Sequence, residues 1–105
     1  MIYRICRYAA VPERLAAFHE FFNGYLLPVQ VRHGARLMGR WETDGAEVIA
    51  VWEYDDMAAY ERIDAAVRAD PDSARAREHG ESLGQLFTEV HETFARSTVA
   101  RTNGR

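Results

Sequence analysis

Four histidines, a few isolated carboxylates and a set of aromatic rings carry whatever chemistry this chain has. His33 continues an apolar helical stripe through Leu26 and Val29 and is followed at once by Gly34. At a helix C-terminus the dipole favours an imidazolium, which would bond a carboxylate or act as a general acid or base. The same His-Gly pair serves equally well as a cap that satisfies the last carbonyls. His91 sits between Glu89 and Glu92 in an alternating, strand-like segment. A strand holds a catalytic group rigidly; the alternative is a half-exposed strand histidine. Glu53 alternates to the face opposite Trp52, among Ile49 and Val51. Partial desolvation there would suit it to proton transfer, and its rival role is an ion pair with Arg36 or Arg40 across a hairpin. Tyr3, Tyr25, Trp41, Trp52 and Tyr60 are rings with polar tips, suited to a planar aromatic or polyketide-like ligand or to a plain core. Arg4, Arg7 and Arg40 are candidates to stabilise developing negative charge. The catalytic candidates are therefore His33, His91 and Glu53, and the substrate-binding candidates Tyr3, Tyr25, Trp41, Trp52, Arg7 and Arg40.

The same inventory excludes several reaction classes. His19, beside the helical stripe, and His79, in a polar break, read as structural or solvent-facing. The histidines lack the i,i+4 spacing of a helical zinc site, so only a meeting of His33, His91 and Glu53 in space could make one, and no metal is expected. A single cysteine, Cys6, excludes an internal disulfide and a Cys-based zinc site, and reads as a small buried hydrophobe. All 13 basic residues are Arg, so no Schiff base can form on a lysine. There is no phosphate-cradling glycine motif, and Ser73, Ser82 and Ser97 lack the flanking glycines of a hydrolase elbow. A net charge of −3 with interspersed signs offers no nucleic-acid surface. No leader pattern opens the chain and no apolar run reaches membrane-spanning length, so the expectation is a cytoplasmic protein.

These groups need elements to hold them, and 105 residues at 48% hydrophobic make one domain. Residues 2–8 alternate, with Ile2, Arg4, Cys6 and Tyr8 on one face and Tyr3, Ile5 and Arg7 on the other. Pro12 and Glu13 open a helix whose stripe is Leu15, Phe18, Phe22, Leu26 and Val29, widened by Phe21 and Tyr25. Pro28 predicts a kink or break near Asn23-Gly24-Tyr25, and Gly34 the stop. Residues 35–43 and 47–54 read as a hairpin turning at Asp44-Gly45. Leu37, Gly39, Trp41 and Thr43 would face one way, and Arg36, Met38, Arg40 and Glu42 the other. Asp55 or Asp56 caps a second helix with the stripe Met57, Tyr60, Ile63 or Asp64, and Val67. Asp70-Pro71-Asp72 starts a further helical segment, interrupted near Gly80 and resuming at Leu83, Leu86 and Phe87. Residues 90–95 form the last strand, and after a domain spanning 1–95 the segment 96–105 reads as a flexible tail.

Read together, Tyr3-Arg-Ile-Cys-Arg-Tyr8, Leu26-Leu-Pro28, His33-Gly34, Leu37-Met-Gly-Arg-Trp41, Trp52-Glu-Tyr54 and Ala69-Asp-Pro71 fall in an order and spacing that resembles the NIPSNAP family of the dimeric α+β barrel superfamily. The resemblance implies an α+β, ferredoxin-like β-α-β-β-α-β protomer whose four-stranded antiparallel sheet packs against its twin as a homodimeric barrel. Relatives in the superfamily include cofactor-free monooxygenases, haem-degrading enzymes, lactone isomerases and polyketide cyclases, with ligands between sheet and helices. One departure stands out: the family's Arg in the first strand is Cys6 here, so any anion it holds would fall to Arg4 or Arg7.

The leading expectation is a small cofactor-independent enzyme acting by proton transfer on an apolar aromatic or polyketide-like molecule. Isomerisation, cyclisation or dehydration are the reactions, with oxygenation as a variant. The rivals are a non-catalytic homodimer that binds a small molecule or a protein, and a haem-binding protein with a histidine axial ligand. The homodimer follows from burial as well: strands with bulk on both faces need two covers, and two helices supply one.

Overall fold

The computed structural model describes residues 1–99. The chain runs β1 (Ile2–Ala10), a 3-10 turn (Pro12–Arg14), α1 (Leu15–Phe21), a π-turn (Phe22–Leu26), α2 (Leu27–Arg32), β2 (Arg36–Glu42), β3 (Glu47–Tyr54), α3 (Met57–Ala69), α4 (Pro71–Ser82) and β4 (Phe87–Ala95). The strands pair antiparallel in the order β2-β3-β1-β4, the ferredoxin-like arrangement. Helices cover one face. Beneath them Cys6, Ala50, Trp52 and Tyr54 pack with Phe22 and Ala35, and Ala10 and Val48 pack with Phe18 and Leu86.

Local chemistry explains the boundaries. Pro28 has no N–H to offer the carbonyl four residues back, and the helix widens just before it: the Leu27 N–H reaches the Phe22 carbonyl. The expected kink is thus a π-turn, and it lets Leu26 and Leu27 both pack against the core. After α2 the Gly34 N–H bonds the Val31 carbonyl and the Ala35 N–H the Gln30 carbonyl, with Gly34 at φ 102°. That is a Schellman stop, which needs a residue free to adopt positive φ. Asp56 caps α3 by accepting from the Ala59 N–H at 2.7 Å, and Asp70 caps α4 from the Asp72 N–H at 2.8 Å. α4 is not interrupted at Gly80 but runs through it, because the absent side chain leaves room for the Phe21 ring. β4 accordingly starts at Phe87.

Two expectations are corrected. The sheet is an open layer belonging to a single chain: its edges, β2 and β4, lie at opposite ends of the strand order and do not meet. It is therefore not a dimeric α+β barrel, and four strands fall well short of the roughly eight that close one. The inference of a homodimer through bare sheet faces overlooked what covers the second face. Arg7 pairs with Glu47 at 3.3 Å, and Glu53 takes Arg36 at 3.1 Å and the Tyr3 hydroxyl at 3.1 Å. Trp41 lies across Gly39, and the stems of such long side chains shield apolar surface while their heads stay wet. Ile5, Ile49 and Val51 are only half-exposed there.

The second correction is a bulge in β2. Leu37 faces Trp52, yet Gly39 faces Val51, so β2 spends one extra residue at Met38. Beyond it the faces exchange: Gly39 and Trp41 join Arg36 on the uncovered side, and Arg40 and Glu42 join Leu37 beneath the helices. Of the segment 96–105, residues 96–99 follow β4 without regular structure, and 100–105 lie outside the described residues.

Two glycines test this packing against each other. An added Cβ at Gly24 in the π-turn meets nothing within 4 Å, whereas at Gly80 it would lie 2.8 Å from the Phe21 ring. Gly24→Ala should raise stability by about 0.5–1 kcal/mol. Gly80→Ala carries the same propensity gain but should lower the urea midpoint, since overpacking costs about 1–3 kcal/mol.

Candidate functional site

The expected site residues fall in three places. Tyr3, Arg7, Glu53 and His91 stand on the uncovered face; Arg7 is cross-strand to His91, and Tyr3 to Glu53. His91 is highly exposed and its Nε2 meets Glu89 at 3.3 Å. Trp41 is on the same face and 54% exposed, while Trp52 is 4% exposed inside the core. His33 closes α2, and its Nε2 lies 2.8 Å from Asp70 Oδ2. Arg32 reaches that carboxylate at 2.5 Å and Asp72 at 3.0 Å, so the helix end is clamped to the α3–α4 junction. Tyr25, in the π-turn, stacks on His79 with centroids 4.1 Å apart. His33, His91 and Glu53 are not brought together.

What the fold does assemble is a polar row under the helices, carried by β1 and β2. Arg4 is ion-paired: its Nε meets Glu92 and its guanidinium lies over Tyr60 at 5.6 Å. Burial alone would lower its pKa, but the Glu92 bond and the neighbouring negative fields hold it above the ordinary arginine value. Next along β1, burial raises both the Cys6 thiol and the Tyr8 phenol. The Tyr8 ring is edge-on to Phe18 at 5.2 Å and to Phe87 at 5.0 Å.

Arg40 is different. Brought under the helices by the bulge, its guanidinium lies 4.3 Å from the Phe22 ring centre and 4.9 Å from that of Phe18. Nη1 donates to His19 Nδ1 at 2.8 Å. Among the described residues, Nε and Nη2 are buried without a hydrogen-bond partner. Desolvation lowers its pKa, against the fields of Tyr8 and Glu42. The rings return about 0.5–2 kcal/mol as cation–π attraction, but they do not supply the in-plane acceptors that N–H groups need, and each such unmade bond costs about 1–3 kcal/mol. Chemically this is a desolvated cation flanked by aromatic walls, the setting in which a fixed positive charge best stabilises an oxyanion.

Arg40 was named from the sequence; His19, Glu42, Tyr8 and Phe18 were not, since β2 was read as regular. The isolated Gly39 inside a strand was the available sign of a bulge. Among the described residues no group of three or more His, Cys, Asp or Glu converges to hold a metal ion. A haem does not fit either. His33, His91 and His19 each meet a carboxylate through Nε2, and no described histidine stands free over a cavity deep enough to take a macrocycle, His79 being stacked on Tyr25 beside a cavity of about 250 Å³. No described helix is long and apolar enough to cross a membrane.

The family model described as NIPSNAP matches residues 3–100. No curated protein matches the chain. Among solved structures, an uncharacterised NIPSNAP domain protein from Burkholderia xenovorans superposes with a TM-score of 0.82 at 18% identity, covering 97% of this chain and 100% of its own. A NIPSNAP family protein from Agrobacterium tumefaciens gives 0.80 at 14% identity, with 92% of each chain covered. A candidate antibiotic biosynthesis monooxygenase from Nitrosomonas europaea gives 0.66 at 12% identity, covering 94% of this chain and 100% of its own. At these identities the likeness is one of fold.

The clamp at His33 makes a separate prediction. The Asp70 carboxyl is held well below the usual range, first by the Arg32 bond, then by His33 and the Asp72 N–H. A depressed folded-state pKa adds stability that is complete above the unfolded value near about 4 and is lost as pH falls below it. Asp70→Asn keeps a helix-capping side chain. It should melt earlier than the unsubstituted chain at pH 7, and the gap should narrow steadily in melts taken below about pH 4.

Proposed function

The chain belongs to the NIPSNAP family, and from that premise we propose that it is a small cofactor-independent enzyme acting by proton transfer on an apolar, aromatic or polyketide-like molecule. The observation that carries this reading is the Arg40 guanidinium, buried between Phe18 and Phe22 with Nε and Nη2 unpartnered among the described residues. A ketone oxygen placed against those N–H groups gains charge as the neighbouring carbon loses its proton to water. The enolate is then stabilised by a cation that needs no reorganisation. Returning the proton at a second carbon gives isomerisation; attack by the enolate carbon on another carbonyl gives cyclisation. Phe18 and Phe22 lie against the guanidinium, and Tyr8, kept protonated by burial, stands edge-on to Phe18. In this reading the Glu53 and His91 groups serve the uncovered face and His33 the helix clamp. The fold shared with a candidate antibiotic biosynthesis monooxygenase supports, as the variant reaction, oxygenation of the same enolate by dioxygen, the carbon forming a hydroperoxide that loses water to leave a carbonyl.

The test is hydrogen–deuterium exchange at the acidic carbon of 2-tetralone, a small aromatic ketone, followed by NMR. The protein should accelerate exchange, and Arg40→Met should remove that acceleration by about 100-fold or more, the usual scale for losing an oxyanion donor. The variant should keep its melting temperature, because an unpaired buried cation is exchanged for a side chain of similar length. Acceleration that survives in Arg40→Met, or none in the unsubstituted chain, would sink the proposal.

A further inference from the structure

The outer edge of Arg40 is held in a way that fixes what its inner edge can receive. Arginine has only donors, so His19 Nδ1, 2.8 Å from Nη1, must be accepting. Its proton therefore sits on Nε2, which donates to Glu42 Oε1 at 2.7 Å. His19 is the neutral imidazole in one tautomer, held between a carboxylate and a guanidinium. The bond at Nη1 leaves Nε and Nη2, the two nitrogens whose hydrogens project in parallel from one edge of the planar group. That edge matches two coplanar oxygens.

Resting on the reading above, we infer that His19 and Glu42 are positioning residues that present the Nε–Nη2 edge of Arg40 as a two-pronged receptor for a planar pair of anionic oxygens, the carboxylate or 1,3-dicarbonyl enolate of an aromatic compound. A single ketone oxygen uses one prong; a paired-oxygen anion uses both and binds more tightly.

Benzoate is the probe, because it stays ionised above about pH 5, and calorimetric titration of the full chain is the measurement. Benzoate should bind more tightly than acetophenone, which offers one oxygen. His19→Leu should weaken binding about tenfold at pH 8, the size expected for one lost charge-assisted bond. His19→Gln should recover most of that loss, since the amide accepts from Arg40 and donates to Glu42. Arg40→Met should abolish binding. If benzoate fails to bind, or binds Arg40→Met equally, the receptor and the oxyanion reading fall together. If Arg40→Met abolishes binding while His19→Leu binds normally, the relay is wrong and the Arg40 site stands.

Discussion

One extra residue in β2 governs where the chemistry of this molecule falls. Side chains on a strand alternate with a period of two, so a single insertion sends everything beyond it to the opposite face. Without the bulge at Met38, Arg40 would stand on the uncovered side with Glu53 and Arg36, and Trp41 would press into the helices. With it, the exposed face receives the large ring, which spreads over Gly39, and the covered face receives a cation. Glu42 follows Arg40 to that side and comes within reach of His19 on α1. The polar row under the helices exists because of this step.

The helical layer answers the same constraint from above. Pro28 forces the preceding turn to widen, and the π-turn starts at Phe22, one of the two rings that flank Arg40. Phe18, four residues earlier on the same helix face, supplies the other. The ring that fills the core therefore also clothes the charge, and one proline and one bulge on different elements determine how they meet. π-turns of this kind are often found where a helix serves a site as well as a core.

Much of this was legible in the sequence, and the limits follow from particular residues. Hydrophobic periodicity placed α1, the hairpin and α3; Asp56 and Asp70-Pro71 announced their helix starts; His33-Gly34 announced a stop. The outcome at Pro28 was foreseen as a kink but not as a π-turn, since nothing local tells how the freed carbonyl will be satisfied. Gly80 was misread as a break because its reason, the Phe21 ring, lies on another helix. The barrel and its homodimer came from a family likeness and an assumption that bulk on both faces needs a second body. The ion pairs that drape the uncovered face were invisible as pairs until register brought Arg7 near Glu47 and Arg36 opposite Glu53. At the candidate site Arg40 was named for its charge alone; its partners could not be, because reading β2 as regular put Arg40 and Glu42 on the face opposite Leu37, away from His19.

Arg4 and Arg40 make an internal comparison. Both project beneath the helices and both lie against aromatic rings. Arg4 meets the carboxylate of Glu92, the opposite charge a sheltered cation requires if it is to serve the fold. Arg40 meets one neutral imidazole and leaves two N–H-bearing nitrogens buried without an acceptor among the described residues. An apolar side chain of similar length would pack between Phe18 and Phe22 without that desolvation cost, so packing does not account for the charge. Local rules of polar satisfaction are broken mainly where a site needs the broken rule. A guanidinium with one edge tethered and the other unspent fits a ligand's oxygens better than it fits a core.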